Sequence, residues 1–246
     1  MADFKVGSTT IANAKVGATQ IQAVYVGSSL VWSAGTDVDY RASTAADNST
    51  AGSYPYTSAL SVLTTDYLVG WYNGKQTQSF SQGYTGGTAT TAGWNDITSY
   101  QEVIGDSGND YLVVLGYNTV SSAGTHSIES YVQYAGLGYI AVSDADSYSY
   151  STATGSGTAS VSNCTSNDLI VIVHTVQTLG QSYYYPSTPS GYTQLVQQDW
   201  PSGQGGATQY WTTTVYYKEG GSGTESYSGT SSGSYDGKAI LRIYAS

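Results

Sequence analysis

Thr158-Ala159-Ser160-Val161, a polar turn, and then Asn167-Asp168-Leu169-Ile170-Val171 form the stretch that decides how this chain folds. A short alternating segment reads as a strand, the turn closes on an aspartate, and an apolar strand leads away. The same plan stands earlier in the chain, where Ser58-Ala59-Leu60-Ser61-Val62 precedes Thr65-Asp66-Tyr67-Leu68-Val69. The correspondence continues downstream at nearly constant spacing. Gly93-Trp94 answers to Gly191-Tyr192, Tyr111-Leu112-Val113-Val114-Leu115 to Tyr210-Trp211-Thr212-Thr213-Thr214-Val215, and Tyr139-Ile140-Ala141-Val142 to Ala239-Ile240-Leu241-Arg242-Ile243. The four anchors indicate one plan written twice.

Each copy breaks short apolar or alternating runs with Gly/Ser clusters, the pattern of an antiparallel β-sandwich, here expected to be jelly-roll-like. A different repeat precedes them. Val6-Gly7-Ser8-Thr9-Thr10-Ile11, Val16-Gly17-Ala18-Thr19-Gln20-Ile21 and Val26-Gly27-Ser28-Ser29-Leu30-Val31 are ten residues apart, and the last closes on Trp32. Glycine takes positive φ without a Cβ clash, so each phrase reads as a tight hairpin turn. Such miniature hairpins have too little apolar surface to fold alone and are expected to pack against a neighbour. The expected organisation is all-β: a hairpin docking module over 1–33, a linker or wandering edge segment over 34–56, a first sandwich over 57–143, a linker over 144–157 and a second sandwich over 158–246.

Composition narrows the function. Only 10% of the 246 residues are charged, against about 25% in ordinary soluble domains. Ser, Thr, Gly and Tyr supply the polarity instead, with 25 tyrosines and 30 glycines. The net charge of −10 rests on seven scattered Lys and Arg residues, which provide no basic stripe to neutralise phosphates, so no nucleic-acid partner is expected. Cys164 is the single cysteine, excluding an internal disulfide and a thiolate metal cluster, and it reads as a small buried hydrophobe. Met1-Ala2-Asp3-Phe4-Lys5 carries no apolar signal region, and the longest apolar run, Leu169 to Val173, is too short to span a bilayer. The expectation is a chain made in a cytoplasm, with no membrane partner and no cofactor.

The tandem Val-Gly-Ser/Ala-Thr/Ser-x-Ile/Val phrase resembles the short hairpin repeats of tailed-phage virion and tail proteins, seen especially in phages of marine bacteria. The second half is similar to β-sandwich domains of phage fibre and appendage proteins, in which an Asp precedes an apolar strand and a Pro-x-Gly-aromatic turn follows, here Pro189-Ser190-Gly191-Tyr192. The first copy, with Thr91-Ala92-Gly93-Trp94, lacks that proline. The resemblance implies a virion component assembled in the host cytoplasm, either a tail, baseplate or fibre-type appendage or a capsid decoration protein. It supplies no catalytic residues. Docking would then fall to Val6, Gly7, Ile11, Val16, Gly17, Ile21, Val26, Gly27, Val31 and Trp32, with other virion proteins and further copies of the chain as partners.

The tyrosine-rich segments are the remaining candidates. Tyr148 and Tyr150 alternate with serines, and Tyr183, Tyr184 and Tyr185 run together before Pro186. A tyrosine offers a large rigid face and a hydroxyl at low entropic cost. The segments therefore suit a host glycan or protein, a contact between subunits, or packing within the domain; a lectin-like carbohydrate-binding module is the corresponding alternative function. Asp144 with Asp146, and Asp106-Ser107-Gly108-Asn109-Asp110, read as turn residues rather than calcium ligands, since no Glu closes a twelve-residue loop. His174 is expected inward or at a strand end with a satisfied hydrogen bond, and His126 in a solvated loop. No catalytic constellation is legible, and no enzyme activity is expected.

Overall fold

The computed structural model describes residues 5–6, 9–10, 14–16, 19–21, 23–26, 29–33, 37–47, 57–75, 84–86, 94–103, 109–120, 122–130, 135–179, 182–202, 209–229 and 235–245. All regular structure among them is β, and every strand pair is antiparallel. The chain forms two compact units, Met1–Asp37 and Val38–Ser246.

In the first unit six short strands pair in sequence: β1 (Lys5–Val6) with β2 (Thr9–Thr10), β3 (Ala14–Val16) with β4 (Thr19–Ile21), and β5 (Ala23–Val26) with β6 (Ser29–Ser33). The registers set Val6 opposite Thr9, Val16 opposite Thr19 and Val26 opposite Ser29. Of the expected docking residues, Val6, Val16, Ile21, Val26, Val31 and Trp32 lie on these strands, while Gly7, Ile11, Gly17 and Gly27 lie outside the described residues.

The second unit contains β7 (Asp39–Asp47), β8 (Leu60–Val62), β9 (Tyr67–Lys75), β10 (Tyr84–Gly86), β11 (Asn95–Val103), β12 (Asn109–Thr119), β13 (Gly124–His126), β14 (Glu129–Ser130), β15 (Ala135–Ser143), β16 (Ser147–Thr154), β17 (Ala159–Cys164), β18 (Leu169–Leu179), β19 (Thr193–Ser202), β20 (Gln209–Glu219), β21 (Gly223–Tyr227) and β22 (Tyr235–Tyr244). Two five-stranded sheets dominate, in the orders β7-β15-β9-β12-β11 and β16-β22-β18-β20-β19. Read side by side, each position of one sheet is filled by the counterpart of the other. The small pairs β8-β13 and β17-β21 correspond in the same way.

The duplication extends to individual hydrogen bonds. The Leu63 amide donates to Asp66 Oδ2 at 2.7 Å, and the Thr165 amide to Asp168 Oδ2 at 2.7 Å. The carbonyls of the same aspartates accept from Val120 N at 3.3 Å and Gly220 N at 2.8 Å. Each carboxylate also holds an arginine, here from non-corresponding strands, Arg41 Nε of β7 on Asp66 and Arg242 Nε of β22 on Asp168, both at 2.6 Å. An aspartate whose carboxylate accepts the amide three residues earlier closes the turn in one geometry, which explains why Asp precedes the apolar strand in both copies.

Three hydrophobic cores follow from the alternation of the strands. In the first half, Leu68, Val114, Leu137 and Tyr139 pack with Trp94 beneath Val62 of β8. In the second half, Ile170, Ile172, Tyr216 and Ile240 pack beneath Val161 and Tyr227 of β17 and β21. The opposite faces of both large sheets meet in a third core, where Val69, Trp71, Leu112 and Leu115 lie against Val171, Val173, Trp200, Trp211 and Leu241.

This third core adds to the expected organisation. Each half keeps a two-layered core of its own, and the two halves lie in one unit because each large sheet is apolar on both faces. Segment 34–56 contributes β7, the edge-segment alternative, whereas the expected linker over 144–157 contributes β16; each is the outermost strand of a large sheet. Their Ser/Thr/Ala/Tyr content suits a half-buried edge strand as well as a loop, and the free sides of β15 and β22 supply the backbone partners that decide it.

Candidate functional site

The five candidate tyrosines fall on two surfaces at opposite edges of the second large sheet. Tyr183, Tyr184 and Tyr185 lie in the extended segment between β18 and β19. Pro186 is buried, and its carbonyl accepts the Tyr216 hydroxyl at 2.8 Å. The segment ends in a turn where the Tyr192 amide donates to the Pro189 carbonyl at 3.1 Å and Gly191 has φ of 82°. That conformation is the one a type II turn asks of its third residue, and glycine adopts it without strain.

Anchored at both ends, the segment presents Tyr183 and Tyr185 together. Their ring centroids are 6.4 Å apart, and Tyr183 stands edge-on to Tyr210 at 5.1 Å. Tyr185 is 51% exposed, the most exposed of the large apolar side chains described. Tyr184 is half-buried and lies near enough to Tyr216 and Tyr227 to influence both hydroxyls. Asp199 of β19 lies beside both outward rings and accepts from Gln197 Nε2 at 3.3 Å. Burial, and then the Asp199 charge, raise the Asp47 carboxyl above the usual carboxylate range. Sequence reading found the rings but missed the acids, because β7 and β19 meet only through the packing of the two sheets. The patch combines aromatic faces with hydrogen-bond acceptors, a chemistry suited to stacking and hydroxyl recognition.

Tyr148 and Tyr150 lie on β16 at the other edge. Tyr148 is half-buried against Tyr117 at 5.2 Å, and Tyr117 stacks on the buried Tyr67 at 5.6 Å. Tyr150 ends this row, 6.4 Å from Tyr148 and 43% exposed. Burial, with the neighbouring tyrosines, holds the Tyr67 and Tyr148 hydroxyls protonated well above their ordinary range.

The histidines are both buried. His174 points inward, as expected, and its Nδ1 lies 2.8 Å from the Tyr227 hydroxyl. Desolvation pushes it down to about 4, with Asp236 opposing and Lys238 assisting. His126 corrects the expectation of a solvated loop: it lies on β13 at 2% exposure, and burial lowers its pKa. Its carbonyl accepts the Tyr139 hydroxyl at 2.7 Å, tying β13 over the first core. Lys238 was not singled out in the sequence, yet it is 1% exposed, with Nζ donating to Gly155 O at 2.6 Å and Gly229 O at 2.5 Å and lying 3.4 Å from Asp236 Oδ1. The signal was available: alternation along β22 puts Asp236 and Lys238 on the same face as Ile240.

Cys164 is buried, its thiol 3.7 Å from the Val161 carbonyl. Asp144 and Asp146 are exposed, Asp144 with φ of 58°; residues 106–108 lie outside the described residues. Among the described residues no group of three His, Cys, Asp or Glu side chains could hold a metal ion, and no helix is long and apolar enough to cross a membrane. No family model, curated protein or solved structure matches the chain.

Proposed function

We propose that this chain is a non-enzymatic structural component of a tailed-phage particle, a tail, baseplate or fibre-type appendage that docks through residues 1–33. The observation that carries this reading is the threefold Val-Gly phrase, whose described residues fall in three successive antiparallel strand pairs. Such ribbons gain little apolar burial by themselves, so a partner surface is their natural complement. Capsid decoration is the alternative placement. Electron microscopy of purified particles labelled at Ser246 tests both: label on the tail or its appendages is expected, label on the head moves the protein to the capsid surface, and unlabelled particles overturn the reading.

A second reading is favoured by the Tyr183/Tyr185/Tyr210 patch with Asp199, which suits a host-surface glycan. Glycan-array binding that is lost in the Tyr183→Ala/Tyr185→Ala double variant would assign a lectin-like role to the same appendage. An array without signal removes that role and leaves docking untouched.

A further inference from the structure

Among the described residues the two large sheets end in four edge strands, and three of them carry devices that discourage pairing with another chain. β7 has Asp39, Arg41 and Asp47 and a register shift against β15 at Ala141/Val142. β11 has Asp96 and Glu102 and two register shifts. β19 has Asp199, Pro201 and a register shift at Gln194/Val196. Charge, proline and bulges are the usual means of blunting an exposed edge. β16 has none of them. Its sequence, Ser147-Tyr148-Ser149-Tyr150-Ser151-Thr152-Ala153-Thr154, holds no charge and no proline, and all eight residues pair with β22 without a shift. In an antiparallel ladder alternate residues direct both backbone groups to the neighbour. Every second residue of β16 therefore turns an N–H and a C=O away from β22.

We infer that β16 is a self-pairing surface that joins two copies of this chain edge to edge, antiparallel, about Tyr150. A second copy fits because a two-fold interface must be complementary to itself. An uncharged strand of alternating small and aromatic residues meets that condition, whereas a charged edge sets like charges near one another. An axis normal to the sheet keeps equivalent faces on the same side, so opposed residues share parity. Centred on Tyr150, this register sets Tyr150 against Tyr150, Tyr148 against Thr152, Ser149 against Ser151 and Ser147 against Ala153. Directly opposed tyrosines on one face are a favourable cross-strand pair. Tyr150, 43% exposed, is the ring at the end of the Tyr67–Tyr117–Tyr148 row, and pairing covers it. The β16-edged sheets of the two copies then become one continuous sheet. The inference goes beyond the docking reading and does not use the N-terminal hairpins.

The full-length chain tests it. Light scattering or sedimentation at about 100 µM, far above a Kd of about 1 µM, should report a dimer. Tyr150→Lys, which introduces the charge the other edges carry, should weaken association about tenfold or more with unchanged far-ultraviolet circular dichroism. Tyr150→Cys in the otherwise native chain, whose single Cys164 is buried, should give a disulfide-linked dimer on mild oxidation, because directly opposed strand residues meet the distance a disulfide needs. Gln197→Cys on β19 should not. A monomer at that concentration overturns the inference. So does a dimer whose mass ignores Tyr150→Lys and which forms no disulfide at position 150; that result would move self-association to another surface. None of these readouts involves a particle, so edge pairing and virion docking can fail independently.

Discussion

His174 shows how one buried side chain ties stability to pH. Its ordinary value of 6.5 falls to about 4 in the folded chain, so between those values the unfolded state binds the proton that the folded state refuses. Stability is therefore complete above pH 6.5 and declines as pH falls toward 4, by up to about 3 kcal/mol from this group. Urea denaturation at pH 7.5 and pH 4.5 measures the decline. His174→Gln, which can still bond the Tyr227 hydroxyl, should flatten it while changing stability at pH 7.5 by about 1 kcal/mol or less. Asp47 has the opposite sign. Its carboxyl is raised by burial and by Asp199, so its contribution is favourable at low pH and is lost as pH rises through the folded value. Asp47→Asn should raise the melting temperature at pH 7 and leave it unchanged at pH 3.

At the scale of the element, the paired Asp turns and the sheet-to-sheet contact give separate expectations. Asp66 and Asp168 each hold a turn amide and an arginine, with side chains 0% and 4% exposed. Removing a buried partner leaves the other group uncompensated, so Asp66→Ala and Asp168→Ala should each cost about 2–4 kcal/mol in chemical denaturation. The lower end allows for the partly exposed Arg41, at 29%. Gly237 of β22 faces Leu112 of β12 so closely that an added Cβ would sit 2.6 Å from the leucine Cβ. That carbon is fixed to the backbone and cannot swing aside. Gly237→Ala should therefore cost about 1–3 kcal/mol through displaced strands, read as a lowered denaturation midpoint.

The whole second unit is held together by polar bridges inside the third core as well as by apolar contact. Asn73 of the first sheet donates to Thr175 Oγ1 at 3.0 Å and to Thr213 Oγ1 of the second, and its Oδ1 accepts the Gly136 amide at 3.1 Å. Gln198 returns the link, accepting from Trp71 Nε1 at 3.0 Å and donating to the Leu137 carbonyl at 3.1 Å and to the Ala46 carbonyl. Buried groups matched this specifically resist sliding of one sheet over the other. The unit should therefore unfold in one calorimetric transition despite its duplicated sequence. Gln198→Ala strands several buried groups and should lower that single transition by about 2–4 kcal/mol rather than split it. Two separate transitions would mean that the halves fold independently.

Local patterning determined the all-β character and the plan written twice. Alternating strands and the Asp that closes a turn on the amide three residues earlier act within a few residues, so each is legible in the chain itself. Tertiary structure decided the rest. β7 and β16 look like linkers until β15 and β22 offer them a backbone ladder, and Lys238 looks like a surface charge until β21 and the turn after β16 cover it. Asp47 and Asp199 are far apart in sequence and meet because two sheets, each apolar on both faces, must bury their second faces against each other. That requirement belongs to the assembled sheets, and no single segment states it.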